Sequence, residues 1–303
     1  MTDYSCVQMA VGDICKCDYA QLRYFSFCTF SIEYTNKLNS EQIWKKLRAR
    51  QIVHFTVFLK KVFEIDICEW QLESNKWQNC IEGLKMRKNI LLGFDCYYAP
   101  WSPSYLQTHI LHFCHVKGVD EAGNLICTDS YMNAFDVSWG REEFEKAYKA
   151  GYYVTVGPGQ KRINNKEILS WIKNAVPVDS VEIHYKNLLK DFLKIRNYED
   201  LFETENPEAC ELIIVTKQIS RNYSEGAKIL KEWDKDIESD KLEMLRENYQ
   251  CLSDNWNMIT QLLLYMILRR KIIQEALDSI QKYIEKNLIC EIEILKLLEE
   301  ILE

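Results

Sequence analysis

No stretch restricts the fold of this chain more than Gly93 to Ser130, GFDCYYAPWSPSYLQTHILHFCHVKGVDEAGNLICTDS. It predicts the end of an apolar strand, an aromatic loop with two prolines, and a β-hairpin. The hairpin strands are His112 to Val119 and Asn124 to Ser130, with Asp120-Glu121-Ala122-Gly123 as a four-residue turn. That turn pairs Val119 with Asn124, Cys114 with Asp129 and His112 with Tyr131. His112 and Asp129 then lie diagonally on one face, roughly 7–8 Å apart by Cα, within reach of a carboxylate–imidazole hydrogen bond. A slip of one residue separates them onto opposite faces. An imidazole oriented by a carboxylate lacks only a nucleophile to complete a triad.

Cys6 is the candidate nucleophile. Val7, Ala10, Val11 and Ile14 recur at helical spacing, which predicts a helix from about Cys6 with Ser5 as its cap. A thiol in the first turn meets unsatisfied N–H groups and the positive end of the helix dipole, and both favour the thiolate. The alternative is that Cys6 fills a core position, as most of the twelve cysteines must. Their spacing is too irregular for a disulfide scaffold, and the Cys15-x-Cys17 pair has no second pair at zinc spacing. His109, His112 and His115 recur every third residue, but on a strand His112 and His115 point to opposite faces, so no metal site is expected. His54 is expected to be a core or half-buried histidine rather than a ligand.

The formal net charge of -7 and a pI near 5.5 argue against nucleic acid or an anionic membrane as the main partner. The first ten residues do not have the pattern of a signal peptide, and the longest apolar run, Gln261 to Leu268, is too short for a bilayer. A cytoplasmic protein is therefore expected. The fold class expected is α+β, with a catalytic domain over residues 1–158 and a helical domain over 159–303. Within the first, helices are expected at Ser40–Arg50, Asn75–Asn89 and Ser138–Ala150, and strands at Ile90–Tyr98, in the hairpin and after Gly151. The stretch from Ile52 to Trp70 fits either strand or buried helix. Val156 to Glu167 has the composition of a linker. Five helices follow, at 166–175, 179–196, 208–235, 239–270 and 271–302, the last with a near-heptad stripe that suits a bundle helix or a homodimer seam.

Asp95 ends the apolar strand just ahead of the loop Tyr97-Tyr98-Ala99-Pro100-Trp101. It can face a cleft or cap the loop through backbone N–H groups, and both readings stand. Cys6 opening a helix, His112 six residues before Gly118 in a strand and Asp129 near the end of the next strand resemble the papain-like C39 peptidase core. With the D-x-Y-Y strand end and the H-x5-G-x-D hairpin, the stretch resembles more closely the N-terminal domain of the butirosin biosynthesis protein H family, over roughly residues 4–156. The chain is also similar to the amide-forming cysteine enzymes of closthioamide assembly. The resemblance implies a papain-like (C39-type) fold and acyl transfer from a carrier-protein phosphopantetheine thioester to an amine, with no enzyme-bound cofactor. It gives Cys6 the role of nucleophile, His112 that of base and Asp129 that of orienting partner. Papain-type sites place an oxyanion-hole Gln before the Cys, and only Met1 to Ser5 precede it here. The backbone N–H groups of Cys6 and Val7, or Gln8, are the alternatives.

An acyl or peptidyl carrier protein and a small amine are thus the expected partners, with Tyr97, Tyr98 and Trp101 as a wall excluding water and Asp95 as a holder of the amine. Arg269-Arg270-Lys271 are candidates for docking the carrier. A peptidase or thioesterase on the same triad, a silent carrier- or peptide-binding protein, and a helical interaction protein with an accidental triad are the competing readings.

Overall fold

The protein is described here by a computed structural model covering residues 4–16, 30–35, 42–51, 55–70, 75–157, 165–175, 178–233 and 240–303. It is an α+β chain that divides into two units. The first comprises Met1–Arg23 and Phe55–Arg162, the second Tyr24–His54 and Ile163–Glu303. One boundary falls near residue 160, and the segment before Phe55 belongs to the helical unit.

The first unit is built on a six-stranded antiparallel sheet. Its strands are β3 (Ile65–Glu69), β4 (Asn89–Asp95), β5 (Leu111–Val119), β6 (Leu125–Asp129), β7 (Ala134–Trp139) and β8 (Tyr148–Val156). They are ordered β3-β8-β4-β5-β6-β7. Central β4 is buried over six of its seven residues, which explains its unbroken apolar run Ile90-Leu91-Leu92. One face carries Ile90, Leu92, Phe94, Cys114, Val116, Leu125 and Cys127. It is covered by Trp77 and Cys80 of helix α4 (Lys76–Lys85) and Phe144 and Ala147 of α5 (Arg141–Ala147). Helix α1 (Tyr4–Cys15) packs chiefly on β5. Among the described residues none of its buried side chains belongs to the cluster under α4 and α5. The undecided stretch resolves into helix α3 (Phe55–Phe63) followed by β3.

Several boundaries differ from expectation. Residues 43–46 form only a single turn, α2 (Ile43–Lys46), and Leu47–Gln51 become β2, paired antiparallel with β1 (Phe30–Tyr34). Strand pairing overrides helix propensity there; Ser40 lies outside the described residues. Ser138 is in β7, not at a helix cap; α5 starts after Gly140. β7 has no counterpart among the strands expected from the sequence. Gly151 does not end α5 but sits inside β8, where an added Cβ would fall 1.8 Å from the Trp70 indole. Ser5 lies inside α1 rather than before it.

The second unit holds the β1–β2 ribbon and helices α6 (Asn165–Ala175), α7 (Val178–Phe192), α8 (Glu211–Trp233), α9 (Asp240–Arg269) and α10 (Gln274–Leu302). These match the five periodic segments. Ile280, Ile284, Leu295 and Leu298 of the α10 stripe are buried within the unit. Asp191 of α7 ties the ribbon down, accepting from Tyr34 Oη and Lys46 Nζ at 2.7 Å each. Burial opposes its ionisation, but the donors Lys46, Lys194 and Tyr34 outweigh that and hold it at about 2. No helix among the described residues is long and apolar enough to cross a membrane.

Candidate active site

The hairpin closes differently from the four-residue turn expected. Asp120 N donates to Asn124 O at 2.9 Å and Gly123 takes φ 86, so the loop is tighter and Val119 pairs with Leu125 rather than Asn124. That displacement alone would turn His112 away from Asp129. A bulge between Val116 and Gly118 inserts Lys117 as an unpaired residue, and beyond it Val116 meets Cys127 and His115 meets Thr128. The shift from the turn and the shift from the bulge cancel. From His115 toward His112 the register is the expected one.

His112 and Asp129 are accordingly in contact, with Nε2 3.0 Å from Oδ1. Both are buried, at 4 % and 1 % exposure. Because a carboxylate only accepts, Nε2 must carry the proton, and Nδ1 is the nitrogen left to act as base. The Asp129 carboxylate also receives the Trp101 indole N–H at 3.2 Å and the Met132 backbone N–H at 3.3 Å. The imidazole is walled by Phe94, edge-on at 5.4 Å between ring centroids, and by Tyr131 at 5.2 Å. Trp101 packs in turn on Phe94 and Trp139. Trp101 is therefore a clamp on Asp129 as well as part of the aromatic loop. The signal was available, since a Trp in an apolar setting needs an acceptor for its N–H.

Cys6 is fully buried on α1, in the first turns of the helix as expected, and Gln8 beside it is 3 % exposed. Among the described residues the partners of His112 are Asp129, Phe94 and Tyr131. α1 is nevertheless tied to this end of the sheet, because Ser130, next to Asp129, donates through Oγ to Asp13 at 2.6 Å. Burial pushes the Asp13 carboxyl up, with the Ser130 hydrogen bonds opposing. Cys6 and Asp13 are seven residues apart, so they share a face of α1 at about 10 Å along its axis.

Asp95 is separate from this group. Phe94 pairs with His112 and Asp95 with Leu111, so Asp95 takes the opposite face of the sheet. It caps the 3₁₀ turn Cys96–Tyr98 by accepting from Tyr97 N at 3.1 Å, which is the loop-capping alternative. Its Oδ2 meets His109 Nδ1 at 2.9 Å and Lys149 Nζ at 3.4 Å. Burial opposes ionisation, yet these donors together hold the carboxyl below its usual range. Tyr97 stacks on His109 at 4.4 Å and Tyr98 lies edge-on to Tyr97. Neither tyrosine has a ring contact with His112 among the described residues. His115, three residues on, is half-buried on the far face, and burial with Lys117 nearby pulls it down to about 4. Of the docking candidates, Arg270 pairs with Glu205 at 3.0 Å and Arg269 lies over the Tyr265 ring.

Compared with known proteins, the chain matches no family model and no curated protein.

Proposed function

We propose that this protein is a cysteine-dependent acyltransferase of papain-like, C39-type architecture that forms amides from carrier-bound acyl groups. The observation that carries the reading is the buried His112–Asp129 pair, fixed by Trp101 and leaving Nδ1 as base, on the strand against which the Cys6 helix packs. His112 takes the Cys6 thiol proton, the Cys6 thiolate attacks the carrier thioester, its C–S bond breaks, and the phosphopantetheine thiol leaves with that proton from His112. The amine nitrogen then attacks the acyl-enzyme, the C–Sγ bond breaks, and His112 passes the amine proton to the Cys6 sulfur. Turnover requires Cys6 Sγ and His112 Nδ1 to meet within hydrogen-bond distance. Burial of both side chains favours an amine over water as acceptor. Asp95 is not assigned to the amine, because its oxygens already hold His109, Lys149 and the Tyr97 N–H.

The test is intact-protein mass spectrometry after mixing with acyl-loaded carrier protein, with and without a panel of amines. An acyl group on Cys6, released as amide only when amine is present, is the expected result. Cys6→Ala should take no acyl group, and His112→Ala should slow turnover roughly 10²–10⁴-fold. Free acid as sole product across the panel would make it a thioesterase. Acylation surviving Cys6→Ala would sink the triad.

A further inference from the structure

Two cysteines of the helical unit lie in direct sulfur–sulfur contact. Cys251 of α9 and Cys290 of α10 have their sulfurs 3.4 Å apart, with the Cys290 S–H directed at Cys251. Asn255, one turn along α9, adds an amide N–H to the same Cys251 sulfur at 3.5 Å. Both thiols are partly exposed, unlike the fully buried Cys80, Cys114 and Cys127 of the sheet unit.

We propose that Cys251 and Cys290 form a reversible oxidative modification site, in which a peroxide converts the pair to a disulfide joining α9 to α10. The S–H of Cys290 and the amide N–H of Asn255 both point at the Cys251 sulfur, so charge developing there meets two hydrogen bonds and it is the attacking sulfur. Burial, and then Cys251 beside it, push the Cys290 thiol up to about 12, so it stays protonated until it resolves the intermediate. Cys251 attacks one peroxide oxygen, the O–O bond breaks, and the sulfenic acid and one water form. The Cys290 sulfur then attacks the Cys251 sulfur, the S–OH bond breaks, and the hydroxide leaves with the Cys290 proton as a second water. Two thiols lose two hydrogens and two electrons, and one peroxide gains them. The sulfurs need to close by only about 1.4 Å to reach disulfide length.

The experiment is titration of the reduced full-length protein with hydrogen peroxide, followed by digestion without reductant and peptide mass mapping. A cross-linked peptide pair holding Cys251 and Cys290, lighter by two hydrogens and released by dithiothreitol, is expected. In Cys290→Ser a dimedone adduct should accumulate on Cys251, whereas Cys251→Ser should leave Cys290 unlabelled. Asn255→Ala, shown folded by circular dichroism, should slow cross-linking several-fold. Recovery of both cysteines uncross-linked after complete peroxide consumption would overturn the proposal, as would dimedone labelling of Cys290 instead of Cys251. Where a serine variant does not fold, the wild-type cross-linked peptide decides alone.

Discussion

Asp129 shows how much one carboxylate can be asked to do. Its two oxygens accept from the His112 imidazole, the Trp101 indole and the Met132 backbone N–H, so it is held from three directions. A buried carboxylate with this many donors stays fixed in orientation, and the imidazole it holds cannot spin. Removing the indole donor is therefore expected to loosen the His112 ring without emptying the site. Trp101→Phe keeps the ring packing on Phe94 and Trp139 and deletes one hydrogen bond to a charge, worth about 1.5–3 kcal/mol. The expected outcome is a roughly tenfold or greater fall in kcat for acyl transfer, with KM for the carrier unchanged. A proton spectrum should show the downfield His112 Nε2–H resonance broadened in the variant. A sharp, unshifted resonance together with normal turnover would remove Trp101 from a positioning role.

At the scale of elements, the sequence was legible where local pattern and tertiary structure agree. The apolar run at Ile90, the helix that follows Asn75 and the five periodic helices of the second unit needed only spacing to be found. It was illegible where a contact distant in sequence decides. Leu47–Gln51 is a strand because β1 lies beside it, and Gly151 is a strand residue because Trp70 needs its missing side chain. The His112–Asp129 pairing expected from the sequence holds only because the bulge between Val116 and Gly118 offsets the one-residue difference at the turn. Bulges carry no fixed sequence signal, so Lys117 gave no warning. That offset is testable. Deleting Lys117 should remove the bulge yet keep His115 opposite Thr128, leaving the His112 downfield resonance in place. The exposed Lys117–Asp136 ion pair lost with it contributes little. Inserting one alanine after Lys117 instead should turn His112 to the other face and abolish the resonance. Survival of the resonance in the insertion variant would show that the bulge does not set the register.

Across the whole molecule, two titrating groups shifted by burial have opposite pH dependences, one in each unit. In the sheet unit burial depresses His115 from 6.5 to about 4, so the stability tied to its neutral form is present above pH 6.5 and lost as pH falls toward 4. In the helical unit Glu291 of α10 accepts from the Tyr223 and Tyr185 hydroxyls. Burial raises it from 4.5 to about 7, and the two hydroxyls only partly offset that. The folded state therefore binds the Glu291 proton more tightly than the unfolded chain. Its contribution is present below pH 4.5 and lost as pH rises toward 7. Each shift corresponds to at most about 3 kcal/mol over its window. Acidification from pH 7 to pH 5 thus weakens one unit while strengthening the other. His115→Gln should shift the pH dependence of stability so that the variant gains on wild type as pH falls from 7 to 5. Glu291→Gln keeps an acceptor for both tyrosines and should lose ground on wild type over the same interval. Groups common to wild type and variant cancel in each comparison, so the difference in Tm at the two pH values isolates the single residue. Parallel Tm curves for wild type and both variants would mean that neither group changes its proton affinity on folding.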